Sequence, residues 1–114
     1  MRIHHLAFRT RDLARLVHFY ASVLALRVRE RRGDRSVWLE VGDAILMLER
    51  AEPDEPDVPP GSMELVAFDI QHGTRLGYLA RLAEAGVAIE QQTEFTLYFR
   101  DPDGRRVGLS HYEK

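Results

Sequence analysis

Residues 3–28 read IHHLAFRTRDLARLVHFYASVLALRV, and the reading of this stretch decides the fold. Its first seven residues alternate. Leu6 and Phe8 stand on one side and His5 and Ala7 on the other, as a half-buried strand over 3–9 requires. Thr10 and Asp12 bound that strand, and a short acidic side chain there suits a helix N-cap. Leu13, Leu16, Val17, Tyr20 and Leu24 then recur at helical spacing, which predicts one apolar face over about 12–24. Further strands follow over 26–31, 37–41 and 45–49, separated by turns at Gly33-Asp34 and Gly42-Asp43.

The same order returns 60 residues later. Ala7 and Phe8 map onto Ala67 and Phe68, and Arg15 and Leu16 onto Arg75 and Leu76. Ala25 maps onto Ala85, and Val37, Trp38 and Leu39 map onto Leu97, Tyr98 and Phe99. A constant offset held across separate segments argues for two copies of one supersecondary unit. The second copy is expected as a strand over 64–70, a helix from a Thr74 cap to about 85, and a left-handed stop at Gly86. Strands over 87–91, 95–100 and 106–112 complete it, with Asp101-Pro102-Asp103-Gly104 as a tight turn. Between the copies, residues 51–61 read AEPDEPDVPPG, with four of the five prolines and four acids. That composition predicts an extended, solvated linker without a partner.

At 114 residues, 45% hydrophobic and 30% charged, the chain is expected to be a single folded domain. Module one would span 1–50, the linker 51–61 and module two 62–114. The formal charge of −2 gives no electrostatic reason to expect nucleic acid. The absence of cysteine excludes disulfides, thiolate catalysis and cysteine-based zinc sites. No apolar run approaches the roughly 18 residues needed to span a bilayer, and the start MRIHHLAF does not read as a signal peptide. A cytoplasmic protein without a membrane partner is expected.

Residues 3–28, with their His-containing strand, Asp-Leu helix start and Phe-Tyr pair, resemble the opening of the vicinal oxygen chelate superfamily. That superfamily includes glyoxalase I, the fosfomycin and bleomycin resistance proteins and the extradiol dioxygenases. The segment LYFRDPDGRRVGLSHY over 97–112 is similar to the family's closing hairpin. The resemblance implies an α+β fold in which two paired βαβββ modules form a curled, cup-shaped mixed sheet, with helices outside and the ligand inside. It also implies a metal centre built from a histidine on the first strand of each module and a carboxylate on the last strand of one or both. Carried over, those positions are His5, Leu65, Met47 and Gly108. His5 alone retains a ligand. Leucine, methionine and glycine side chains offer a hard cation nothing useful. His4 and Glu64 adjoin ligand positions, but strand neighbours point to opposite faces unless a bulge intervenes. No cofactor is therefore expected, a divalent metal being the alternative.

Strand parity assigns the cup face to His5, Ala7, Leu65, Ala67, Trp38, Glu40, Tyr98, Arg100, Arg106, Gly108 and Ser110. Trp38 and Tyr98 form a repeat-related aromatic pair, and Glu40 and Arg100 an opposite-charge pair expected to meet across the modules. An apolar wall with aromatic planes and few polar groups suits a small-molecule pocket. The reading is a metal-independent protein that binds or sequesters a small planar ligand, as resistance proteins do. His5, Trp38, Glu40, Met47, Leu65, Tyr98, Arg100, Gly108 and Ser110 are the expected contacts. Against it, Trp38 could be plain packing, Glu40–Arg100 a structural ion pair, and His5 a hydrogen-bonded remnant. The second hypothesis is a glyoxalase- or dioxygenase-type enzyme with His5 as ligand or general base, and the third a structural interaction module. The resemblance further implies a homodimer.

Overall fold

The alternation at the start of the chain becomes strand β1 (His5–Thr10), in which Leu6 and Phe8 are more buried than His5, Ala7 and Arg9. A computed structural model describes all of residues 1–114. After β1 come helix α1 (Leu13–Val17), a π-helical stretch (His18–Val23), and strands β2 (Val28–Arg32), β3 (Ser36–Val41) and β4 (Ala44–Arg50). The second copy holds β5 (Leu65–Asp69), α2 (Arg75–Glu84), β6 (Ile89–Gln92), β7 (Thr96–Arg100) and β8 (Arg106–Ser110). The chain divides into two compact units, Met1–Asp57 and Val58–Lys114.

Each unit is one βαβββ module with a mixed four-stranded sheet. In the first the strand order is β1-β4-β3-β2, in the second β5-β8-β7-β6. The first and last strands of each module run parallel, and the remaining pairs are antiparallel. The class is α+β, as the resemblance implied. One face of each sheet carries the core. In unit 1, Val37, Leu39, Leu46 and Leu48 are buried with Leu13, Leu16, Phe19, Tyr20 and Leu24. In unit 2, Phe68, Leu97, Phe99, Val107 and Leu109 are buried, as is Leu82 of α2. Each such side chain contributes roughly 1.5–3 kcal/mol on leaving water.

The first helix differs from the single amphipathic helix that its periodicity predicts. The Leu24 amide donates to the Phe19 carbonyl at 3.0 Å, a five-residue step that widens the turn. The wider turn lets neighbouring Phe19 and Tyr20 both face the core. Tyr20 lies 5.9 Å from the Phe8 ring centroid and 5.1 Å from that of Phe19. Asp12 caps the helix as expected, its side chain accepting from the Arg15 amide at 3.1 Å. Thr74 does not cap α2. Its backbone is helical (φ −94°, ψ −5°), so its hydroxyl turns back to donate to the Gln71 carbonyl at 2.7 Å. Gly86 takes the expected positive φ of 75°, and the Val87 amide closes the helix end on the Leu82 carbonyl at 2.9 Å.

The linker is exposed over most of its length, and arginines of unit 1 hold its first half. Arg11 Nε donates to Asp57 at 2.7 Å, and the same guanidinium reaches the carbonyls of Glu52 and Glu55. Arg35 Nη2 meets the Glu52 carboxylate at 2.7 Å, and Arg9 Nε lies 3.6 Å from that of Glu55. Acids that would repel one another in a free linker here face cations at the end of β1 and in the β2–β3 turn. Each exposed pair contributes at most about 1 kcal/mol, so the tie is cumulative.

Ala25 is the only non-glycine residue with positive φ, at 61°. It stands in Leu24-Ala25-Leu26, where the resembling family has Leu-Gly-Leu. The left-handed region costs a residue with a Cβ roughly 1–2 kcal/mol, partly offset by the larger entropy that glycine loses on folding. Ala25 is exposed and has little packing to lose. Ala25→Gly should therefore raise unfolding free energy by about 0.5–1 kcal/mol in chemical denaturation, against the usual direction of such a change.

Candidate functional site

Opposed residues in a sheet point to the same side, so the register assigns the open face of each module row by row. In unit 1, Ala7 pairs with Met47 and Met47 with Trp38, while His5 pairs with Ile45 and Ile45 with Glu40. Trp38 is half-buried. Its Nε1 donates to Ser36 Oγ at 2.9 Å, and the Arg32 guanidinium lies 4.2 Å from its ring centroid. Arg32 also pairs with Glu30, which lies opposite Trp38 in the register. Glu40 has Arg27 as its cation, at 3.9 Å.

In unit 2, Ala67 pairs with Gly108 and Gly108 with Tyr98, while Leu65 pairs with Arg106 and Arg106 with Arg100. Arg106 stacks on Tyr98, 4.3 Å from the ring centroid, so each module has a guanidinium over its aromatic residue. The arginines come from different strands, β2 in one module and β8 in the other. Arg100 spends every donor inside its own unit. Its Nε and Nη2 bond Glu90 at 2.6 and 3.1 Å, Nη1 reaches the carbonyls of Ser62 and Gly104, and Nη2 also approaches Met63 Sδ. Ser110 Oγ accepts from Thr96 Oγ1 at 2.9 Å and from the Tyr112 amide at 3.2 Å.

Glu40 and Arg100 each have an opposite charge on an adjacent segment of their own module, and repeat arithmetic does not register lateral neighbours. Parity also missed Glu90, because β6 is irregular between Ile89 and Gln91. Such a bulge opposes two residues to one, so Glu90 and Gln91 both reach open-face arginines. Alternation carries no signal for this. The loop over 101–105 is one residue longer than its counterpart over 41–44, so Met47 and Gly108, 61 apart, are equivalent by register.

The four family ligand positions can be tested against this geometry. A Cβ built on Gly108 would lie 3.3 Å from the Ala67 methyl carbon, which would have to give by a few tenths of an ångström, and 3.5 Å from Leu65 Cδ1, an ordinary contact. Leu65 itself stands at the second histidine position. His4 offers one addition that strand parity rejected. It precedes β1, free of the pleat, and its Nδ1 lies 3.0 Å from His5 Nδ1. No group of three or more His, Asp or Glu side chains comes together to hold a metal. A two-imidazole pair without a carboxylate is not the family's donor set, and the residues do not fit that centre.

Hydrogen bonds from Arg100 first and Arg106 second hold the Glu90 carboxyl below the ordinary glutamate range. A depressed carboxyl stabilises the fold above that ordinary range, and the contribution disappears as pH falls through the lowered midpoint. Carbon-detected NMR titration should find the Glu90 midpoint below the ordinary glutamate range, and Arg100→Met should move it upward.

The comparisons with known proteins agree with this architecture. A family model described as the Glyoxalase/Bleomycin resistance protein/Dioxygenase superfamily matches residues 2–109. The metallothiol transferase FosB of Shouchella clausii is 28% identical over 98% of this chain and 87% of its own length. A variant of the fosfomycin resistance protein FosX from Listeria monocytogenes, complexed with Mn(II) and 1S,2S-dihydroxypropylphosphonic acid, superposes with a TM-score of 0.79 at 16% identity, covering 99% of this chain and 90% of its own. Lactoylglutathione lyase from Agrobacterium tumefaciens gives 0.72 at 20% identity, covering 96% and 92%. The two structural likenesses show a shared fold, and the family match, spanning nearly every residue from the first strand to the last, shows that this chain belongs to the Glyoxalase/Bleomycin resistance protein/Dioxygenase superfamily.

Proposed function

We propose that this protein is a small-molecule-binding member of the superfamily that works without a resident metal, holding a small planar ligand against its open sheet faces. The observation that carries the reading is the chemistry of the four ligand positions, His5, Leu65, Met47 and Gly108, three of which offer a hard cation no useful donor. What these faces offer instead is an aromatic plane beside small residues, Trp38 near Ala7 and Tyr98 near Ala67 and Gly108. Stacking and apolar contact then provide affinity, and a few polar groups orient the ligand. His5, Glu40, Met47, Arg100 and Ser110 complete the proposed contacts.

A metal-using enzyme of the kind that FosB and FosX are named for is the second reading, and the 3.0 Å approach of His4 and His5 Nδ1 favours it. Trp38 is the only tryptophan, so its fluorescence reports directly on ligand binding to unit 1. Titration with planar aromatic compounds should quench or shift that emission equally with and without EDTA, and protein purified without chelator should carry no stoichiometric metal. Stoichiometric manganese, zinc, nickel or iron, with binding abolished by EDTA, would establish the enzyme reading.

A homodimer belongs to the same proposal. Ile3, Met63 and Leu65 are 64%, 66% and 40% exposed, apolar surface that self-association would cover. Light scattering at micromolar concentration should return twice the chain mass.

A further inference from the structure

The two modules carry opposite charge at equivalent places. In the row that holds His5, Ile45 and Glu40 in unit 1, unit 2 holds Leu65, Arg106 and Arg100. Two arginines opposed on one face repel. A single carboxylate, Glu90, answers both, at 2.6 Å from Arg100 Nε and 3.1 Å from Arg106 Nε. One positive charge remains in excess.

We propose that this basic end of the unit 2 sheet binds the carboxylate of a small planar aromatic acid, in the seat that the Glu90 side chain fills. The inference rests on the small-molecule-binding reading above and names its ligand class.

Arg106 is the residue that carries it. It is only 8% exposed, where a charge is poorly screened and a second anion is correspondingly favoured. Its guanidinium is fixed in orientation by the Tyr98 ring beneath it and by Gln91, which accepts from Nη2 at 3.0 Å. Its Nε donates to Glu90, so displacing that side chain frees a donor on the edge where the ligand carboxylate would sit. The Nε and Nη2 donors of Arg100 that hold Glu90 are freed with it. An incoming carboxylate therefore meets a held, flat guanidinium, the geometry suited to a forked charge-assisted pair.

Glu90 shows that a carboxylate is accepted there. It is also the group a ligand would displace, since its side chain is 36% exposed on a short edge strand. The body of the ligand is specified by the next row. Half-buried Tyr98, with Arg106 over one face of its ring, and Leu65, 40% exposed, border this row, with Ala67 and the buried Gly108 between the strands. A planar ring lies along the Tyr98 and Leu65 side chains with its carboxylate toward Arg106.

The test is calorimetric titration of the full chain with benzoate, with its neutral isostere benzamide, and with inorganic phosphate. Loss of a charged hydrogen bond corresponds to roughly tenfold or more in affinity, so benzoate should bind at least about ten times more tightly than benzamide. Arg106→Met should abolish that preference, bringing benzoate affinity down to that of benzamide. Glu90→Gln removes the competing carboxylate and should tighten benzoate binding severalfold. Because Arg106 is buried and its variant could misfold, Glu90→Gln and the wild-type ratio of benzoate to benzamide stand as independent measures. Equal affinity for benzoate and benzamide, or no gain in Glu90→Gln, overturns the inference while leaving a planar-ligand site intact. Phosphate binding as tight as that of benzoate overturns the aromatic class. Failure of both aromatic probes to bind overturns the inference and counts against the small-molecule reading with it.

Discussion

Each module hangs on the parallel pairing of its first strand with its last, β1 with β4 and β5 with β8. A parallel pair cannot be closed by a tight turn, so the helix and two intervening strands must be accommodated before the pair forms. Once formed, the register brings residues distant in sequence side by side, His5 beside Ile45, Ala7 beside Met47 and Ala67 beside Gly108. The same register turns Phe8, Leu46 and Leu48 to one face, where Tyr20 and Leu16 meet them. A slip of one residue would turn every core side chain outward, which is why burial specifies the register so strongly.

With the core committed to one face, the other is available for chemistry, and there the modules have diverged. Both keep an aromatic residue at the centre of the third strand, capped by a guanidinium at little more than 4 Å. The supporting arginine comes from an edge strand in one module and from the last strand in the other. Around it, one module sets imidazole and carboxylate groups and the other sets two guanidiniums about one carboxylate. The family's metal positions fall on this same face. Leu65 stands at the histidine position of the second module, and Met47 and Gly108 stand at the carboxylate positions. The FosX variant crystallised with Mn(II) shares the fold.

Local irregularity decides several of the side-chain positions. The bulge in β6 aims Glu90 and Gln91 at the same pair of arginines, and the π-helical stretch turns Phe19 and Tyr20 inward together. His4 escapes the pleat by preceding β1, which lets its ring reach His5. The acidic linker lies against unit 1 because Arg9, Arg11 and Arg35 supply the charge it would otherwise repel from itself.

The amino-acid sequence alone determined the module. Apolar period, Gly86, the Asp12 cap and the 60-residue offset are local or self-comparing signals, and each describes which face of an element is buried. They sufficed for eight strands and two helical segments and for the face that Trp38, Tyr98 and Arg106 share, while the α+β class came with the family resemblance. What only the tertiary structure decided is who partners whom. Arg100 meets Glu90, Arg32 covers Trp38, and Glu40 meets Arg27, because each contact joins neighbouring segments whose lateral spacing no periodicity contains. Hydrogen bonds and ion pairs fall off within a few ångströms, so a one-residue bulge or a one-residue longer turn reassigns them without altering the pattern of apolar residues from which the fold was read.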